Sequence, residues 1–273
     1  MALLTTGLTS GLVIDIGNLE TTVLPVKLLF QYGRYIPPTN LHLTLAPRNN
    51  IPDNILSQEL LEEIKTRILF CSPHPIDNIL QHDTLKSLFD SYRENSNATD
   101  LYYPISLKDG TKATLLIPGW IRERTTEVLF EGDDDEPSIV QCILQSLLKV
   151  QVDLRKPLLS SMLLIGGISH IPGLRLRLKR ELLRVMRNPT NYEKKRYASL
   201  LQLSESVGFI DDSNEKGAGQ IFMGNIRGWI GGSLVGSIKI SGEEITKEKF
   251  TGNVADWSIG NWNEMYKDNT RQE

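Results

Sequence analysis

Apolar positions in this chain change their spacing from stretch to stretch, and turn residues mark the changes. In two places the apolar residues are consecutive: Leu12-Val13-Ile14 and Met162-Leu163-Leu164-Ile165. Runs of that kind predict strands covered on both faces, as in a parallel sheet. The first closes on Asp15, passes through Ile16-Gly17-Asn18-Leu19, and is followed by a second β-rich run, so residues 11–26 read as a hairpin. The second ends in Gly166-Gly167 and leads through Ile168-Ser169-His170-Ile171-Pro172-Gly173 into a helix over 174–186, with Leu174, Leu178, Leu182 and Val185 as its core stripe.

Helical spacing recurs elsewhere. Ser57 is a natural N-cap for a helix over 58–71, where Leu60, Leu61, Ile64, Ile68 and Leu69 share a face. Pro137-Ser138 precedes an amphipathic helix over 139–150, and Trp229 to Ile238 reads as a small-residue helix suited to close packing. Two β-type runs, 102–107 and 112–117, flank Lys108-Asp109-Gly110-Thr111 and predict a second hairpin, with a loop and short helix over 118–130. Pro37, Pro38, Pro47 and Pro52 keep residues 27–57 irregular, and residues 187–225 read as polar and broken by glycines. Trp257, Trp262 and Tyr266 form an aromatic tail expected to dock on the body.

Composition narrows the classes. With 273 residues, 40% apolar and 23% charged, the chain can bury a core as one large domain or two modest ones. A net charge of −3 gives no general affinity for nucleic acid, and no apolar run reaches the ~18–20 residues of a membrane span. Two cysteines, Cys71 and Cys142, build neither a disulfide framework nor a zinc site, which suits a reducing compartment and makes Asn97-Ala98-Thr99 a chance sequon. His42, His74 and His82 lack metal-ligand spacing, and His170 reads as a turn histidine. Asp133-Asp134-Asp135-Glu136 reads as a solvated loop. Arg175, Arg177, Lys179, Arg180, Arg184 and Arg187 crowd one helix, with Lys194-Lys195-Arg196 following. They read as a solvated basic face that, if it binds anything, suits an acidic protein better than a bilayer.

Backbone turns at strand ends point free N–H groups outward and so hold phosphates and sugars. Taken singly, Gly17 and Asp15 make a hairpin turn and its cap, and Gly166-Gly167 a packing turn. Their order is more specific. Followed by Trp229-Ile230-Gly231-Gly232-Ser233, and with Val152-Asp153-Leu154-Arg155-Lys156-Pro157-Leu158 before the second strand, they resemble the actin superfamily over most of residues 1–38 and 118–260.

The resemblance implies an α/β, actin-like (ribonuclease H-like) ATPase fold. It implies an incomplete one, lacking the N-terminal first phosphate loop and most of the first two subdomains, with residues 25–57 shortened. Residues 1–38 and 136–207 would form the third subdomain, 39–135 the fourth, and 208–273 a remnant of the first with the C-terminal tail. Uncovered apolar faces would then make the fold marginal or dependent on partners.

The implied nucleotide site is degenerate. Asp15 matches the acidic residue that acts through water on the bound divalent ion, and Gly17 keeps the turn. Asn18 stands at the next acidic position, Leu19 at a glycine position, and Thr22 where the family orients its attacking water with histidine. Lys65 is kept at the ribose while Thr66 replaces its carboxylate neighbour, and Gly166 and Gly167 keep the adenosine turn. The implied chemistry is weak ATP or ADP binding with Mg at most, hydrolysis very slow or absent, and no catalytic or resident metal site.

Within the superfamily, five stretches resemble the branch at the pointed end of dynactin's short filament: residues 1–5, 22–26, 61–67, 127–131 and 254–258. That branch implies a cytoplasmic, cytoskeletal, non-catalytic subunit. Its partners would be the filament's actin-related subunits and the other pointed-end subunits, and indirectly dynein and cargo adaptors, with neither nucleic acid nor membrane. An active ATPase or phosphotransferase of the wider sugar-kinase and chaperone superfamily is the competing expectation, and a nuclear actin-related protein of chromatin remodelling the third.

Overall fold

The two apolar runs pair with each other. In the computed structural model, β1 (Leu12–Asp15) and β5 (Met162–Ile165) run parallel, with Leu12 opposite Met162 and Asp15 opposite Ile165. The ladder extends one bond beyond each end: Leu12 N donates to Ser161 O at 3.1 Å and Ile16 N to Ile165 O at 3.1 Å. The structure describes residues 2–8, 10–16, 34–36, 57–73, 85–106, 110, 112–132, 137–210, 222–238, 247–248, 250 and 252, with residues 4, 34–36 and 85–89 described by backbone alone. The return strand expected over 17–26, the acidic run 133–136 and the aromatic tail lie outside the described residues.

β5 is buried on both faces, which is why its sequence is continuously apolar. Met162 and Leu164 join Ile14 and Ile16 in the main core, while Leu163 and Ile165 pack against Ala2, Leu3 and Ile210. At its other edge Met162 forms a parallel bridge to Phe209, and its N–H donates to Gly208 O at 3.1 Å.

A second sheet holds β2 (Arg34–Ile36), β3 (Leu101–Ser106) and β4 (Lys112–Ile117) in the order β2-β4-β3, antiparallel throughout. The expected hairpin over 102–117 is present, with Ser106 opposite Lys112. Helix α1 (Gln58–Arg67) starts at Ser57, whose side chain accepts from Leu60 N, but stops four residues before the expected Cys71. Beyond Ile68 the backbone donors go elsewhere: Phe70 N donates to Arg122 O at 3.1 Å and Cys71 N to Pro172 O at 2.8 Å. Local periodicity continued, and long-range hydrogen bonds overrode it. Helix α2 (Leu85–Glu94) precedes the hairpin, and α3 (Gly119–Arg124) with a 3-10 turn over Thr125–Leu129 follows it.

The main core lies between α4 (Ile139–Leu148), α5 (Val152–Ser160), α6 (Leu174–Arg187) and the β1–β5 pair. α4 opens with a capping box between Ser138 and Gln141, and Val140, Ile143, Leu144 and Leu147 face inward. α6 buries Leu174, Leu178, Leu182 and Val185, the expected stripe. Residues 187–225, expected to be irregular, contain α7 (Asn191–Arg196), started by a Thr190–Glu193 capping box, and a 3-10 turn over Leu201–Ser206.

The basic face of α6 is the main correction. Arg177 is only 2% exposed, with its guanidinium bonded to both Glu127 oxygens, to Glu181 and to Ser72 O, and 4.8 Å from the Phe130 ring centroid. Arg184 bridges Glu181 and Glu193, and Arg187 pairs with Glu205. A buried charge persists only when paired and hydrogen-bonded, and Glu127 and Glu181 meet that requirement here.

The chain divides into two units, Met1–Leu234 and Val235–Glu273. The last helix, α8 (Arg227–Ile238), contains the small-residue stretch. It buries Arg227 and Gly231 and leaves Trp229 78% exposed. No described helix is long and apolar enough to cross a membrane.

Candidate functional site: a strand-end turn beside a buried lysine

Parallel pairing brings the ends of β1 and β5 to one edge, and both sequence motifs end there. Gly166, directly after β5, has φ +90°, a left-handed value that glycine adopts without strain. A Cβ on Gly166 would collide with Ile16 O and lie 2.6 Å from Asp15 Oδ1. The Asp15 side chain therefore lies against the Gly166 turn. It is exposed, at the end of the strand.

Gly167 differs. A Cβ there would meet nothing within 4 Å, so this side of the turn is open. Gly167 begins the 3-10 turn Gly167–His170, whose Ser169 hydroxyl donates to Gly166 O at 2.7 Å. Residues 222–226 return to the same place. Gly166 N donates to Gly224 O at 3.4 Å, a Cβ on Gly224 would strike Ser169 Oγ, and Asn225 N donates to His170 Nε2 at 3.2 Å. His170 is thus an exposed turn histidine held by Asn225, as its sequence context suggested.

Lys65 comes from α1, which packs on that 3-10 turn. It lines a small cleft, partly open to solvent, with Leu69, Thr125, Leu129, Ile168 and Ile171. Lys65 is 3% exposed, and burial pulls its ammonium below the usual lysine range, with Glu62 opposing. Below the cleft, burial pushes the Cys71 thiol up to about 11. Burial likewise pushes the Glu127 carboxyl above its usual range, and the Arg177 guanidinium opposes it.

Of the six residues singled out in the sequence, Asp15, Gly166, Gly167 and Lys65 thus lie around one strand-end turn and its flanking cleft. Gly17 and Asn18 fall outside the described residues. Sequence reasoning missed Ser169, Gly224 and Asn225 as members of the turn, because the 222–226 return is about 55 residues away and carries no local signal. The fold family implies a nucleotide with Mg, and the open side of Gly167 is the feature of this turn that suits an adenosine end. A Cβ on Gly167 would meet nothing within 4 Å, and Lys65 is buried in a small, mainly apolar cleft that borders Ile168. Among the described residues no group of three or more His, Cys, Asp or Glu is arranged to hold a metal ion.

The actin family profile matches residues 53–257, three quarters of the chain, and the chain belongs to the actin family. Its α/β, actin-like fold follows. The match includes Lys65 and the Gly166-Gly167 turn; Asp15 precedes it. The chain is similar to Actin-related protein 10 of Dictyostelium discoideum, 26% identical over 276 residues, covering 83% of this chain and 52% of that protein. It is also similar to Actin-related protein 2 of Saccharomyces cerevisiae, 27% identical over 196 residues, covering 67% of this chain and 46% of that protein. The chain spans about half the length of these curated relatives.

Proposed function

We propose that the chain is a non-catalytic actin-related subunit of dynactin that caps the pointed end of its actin-related filament and supports dynein-driven transport along microtubules in the cytoplasm. The observation that carries this reading is an adenosine-type turn retained beside eroded phosphate chemistry. Gly166 and Gly167 keep the turn and Lys65 its flank, while Asn18, Leu19 and Thr22 stand where an active member has acid, glycine and histidine. The similarity to Actin-related protein 10 and the five branch-like stretches support the same assignment.

In this reading residues 1–38 with 136–207, 39–135 and 208–273 correspond to the third, the fourth and part of the first actin-like subdomain. ATP or ADP supplies no bond cleavage here and acts at most as a weak structural ligand. If bound, its adenosine end would be held by the Gly166-Gly167 backbone and Lys65, and Asp15 would act on its Mg through water. Thr22 lacks the basicity to take a proton from an attacking water.

Affinity purification of the tagged chain from its own cells, read by mass spectrometry, tests the assignment. Recovery of the filament and the other pointed-end subunits is expected. Recovery of chromatin-remodelling subunits instead would overturn it. So would ATP turnover by the purified chain that disappears in Asp15→Ala.

A further inference from the structure

Charge is segregated along this chain. Residues 149–200 carry twelve Lys and Arg against three Asp and Glu, a net +9 within a chain of net −3. Internal partners take up several of the α6 cations: Arg177, Arg184 and Arg187 pair with carboxylates, and Arg180 donates to Pro73 O at 2.9 Å. A different set remains. Lys149, Lys156, Lys194, Lys195 and Arg196 are all exposed, and among the described residues none of them makes an ion pair.

One guanidinium gathers the elements that carry them. Arg155 donates to Leu148 O and Val150 O at 3.1 Å each and to Ser199 Oγ at 3.0 Å, joining the end of α4, the start of α5 and the loop after α7. Lys149 lies between its two backbone acceptors, Lys156 follows it in sequence, and Arg196 precedes Ser199 by three residues. Arg196 lies over the Tyr192 and Tyr197 rings, at 5.5 and 5.9 Å from their centroids. Exposed apolar side chains accompany the charges: Val152, Leu154 and Tyr192.

A lysine run on a helix is ordinarily a solvated face. Here Arg155 links the three elements that carry unneutralised cations, exposed aliphatic residues accompany them on either side of Asp153, and most of the balancing negative charge lies elsewhere in the chain. A bilayer fits poorly, because α7 has only six residues and presents no apolar stripe. A long polyphosphate would meet the net negative remainder of the chain, whereas a short acidic segment meets only the patch.

We propose that this surface docks an acidic polypeptide segment that also carries apolar side chains. Its carboxylates pair with Lys149, Lys156, Lys194, Lys195 and Arg196, and its apolar residues cover Val152 and Leu154. Single exposed ion pairs are weak and screened, so the affinity comes from several acting together with apolar contact, and it falls with salt. The proposal does not depend on the nucleotide or dynactin reading.

The test is fluorescence anisotropy of the full chain with a labelled peptide of about 15 residues built from Glu and Leu, alongside the same peptide with Gln for every Glu, phosphatidylserine vesicles and duplex RNA. Saturable binding of the Glu peptide is expected, falling by roughly tenfold between about 50 and 300 mM salt. Lys194→Gln/Lys195→Gln/Arg196→Gln and, separately, Lys149→Gln/Lys156→Gln each weaken it by about tenfold or more, or about 1.4 kcal/mol. Lys112→Gln, exposed on β4, leaves it unchanged. Binding of the Gln peptide at equal strength, wild-type affinity in both multiple variants, or preference for the vesicles or the RNA over the peptide overturns the proposal. Because the two variants lie on different elements, a local effect on α7 alone cannot mimic the expected result.

Discussion

Arg177 grips Glu127 through two parallel hydrogen bonds, Nη1 to Oε1 at 2.9 Å and Nη2 to Oε2 at 2.8 Å, with both side chains nearly sealed from water. The pair ties α6 to the 3-10 turn after α3, and Arg177 reaches Ser72 O at 3.2 Å as well. Removing one member is therefore worse than removing both. Glu127→Ala is expected to cost about 3–5 kcal/mol, because it buries an incompletely paired guanidinium. Glu127→Leu/Arg177→Met is expected to be more stable than that single variant. Urea unfolding of the two variants and the wild type checks the order.

The two adjacent glycines separate structure from ligand. Gly166→Ala forces a side chain into φ +90° and against Ile16 O and Asp15, so a loss of about 2–3 kcal/mol is expected. Gly167→Ala meets no neighbour within 4 Å, so its melting temperature should stay close to wild type. If the open side of the turn receives adenosine, Gly167→Ala weakens ADP binding while leaving the melting temperature in place. Thermal melts with and without ADP report both effects.

Cys71 and Cys142 should separate in thiol labelling. Burial pushes the Cys71 thiol from 9.0 up to about 11, while Cys142 is exposed. At pH 8 a maleimide is expected to label Cys142 alone in the folded chain and both cysteines after unfolding. A folded-state pKa above the unfolded one gives stability that is fully present below pH 9 and is lost as pH rises through about 11. Unfolding midpoints of wild type and Cys71→Ser across that range should converge as the pH rises.

Ser138 starts α4 with a reciprocal cap, its hydroxyl accepting from Gln141 N at 3.3 Å while Gln141 Oε1 accepts from Ser138 N at 2.8 Å. Ser138→Ala is expected to cost about 1 kcal/mol. Ser138→Asp is expected to recover most of it, as the unfolding midpoints would show.

What the sequence made legible follows from range. The strands at 12–15 and 162–165, the hairpin over 102–117 and the α6 stripe are patterns of near neighbours, and each was readable. Arg177 was misread although its position held a clue. It lies three residues after Leu174 and four before Glu181, on the flank of the buried stripe, so periodicity alone places it inward. Its partner Glu127 is fifty residues away and could not be read from spacing. Helix α5 was hidden by its interior Pro157, and α7 was overlooked although Thr190 and Glu193 spell a capping box. At the site, the Gly166-Gly167 turn was visible as a turn, but the contact of Asp15 with Gly166 depends on strand pairing, which no local pattern encodes.

Each residue of β1 is paired with the residue 150 positions further along. Chain elongation at about 5–20 residues per second puts roughly 8–30 s between the synthesis of β1 and that of its partner strand. During that interval Leu12, Val13 and Ile14 lack their β5 partner, and contacts of such long sequence separation form slowly. A nascent β1 is thus a waiting apolar segment, for which other strand edges compete until β5 has been made.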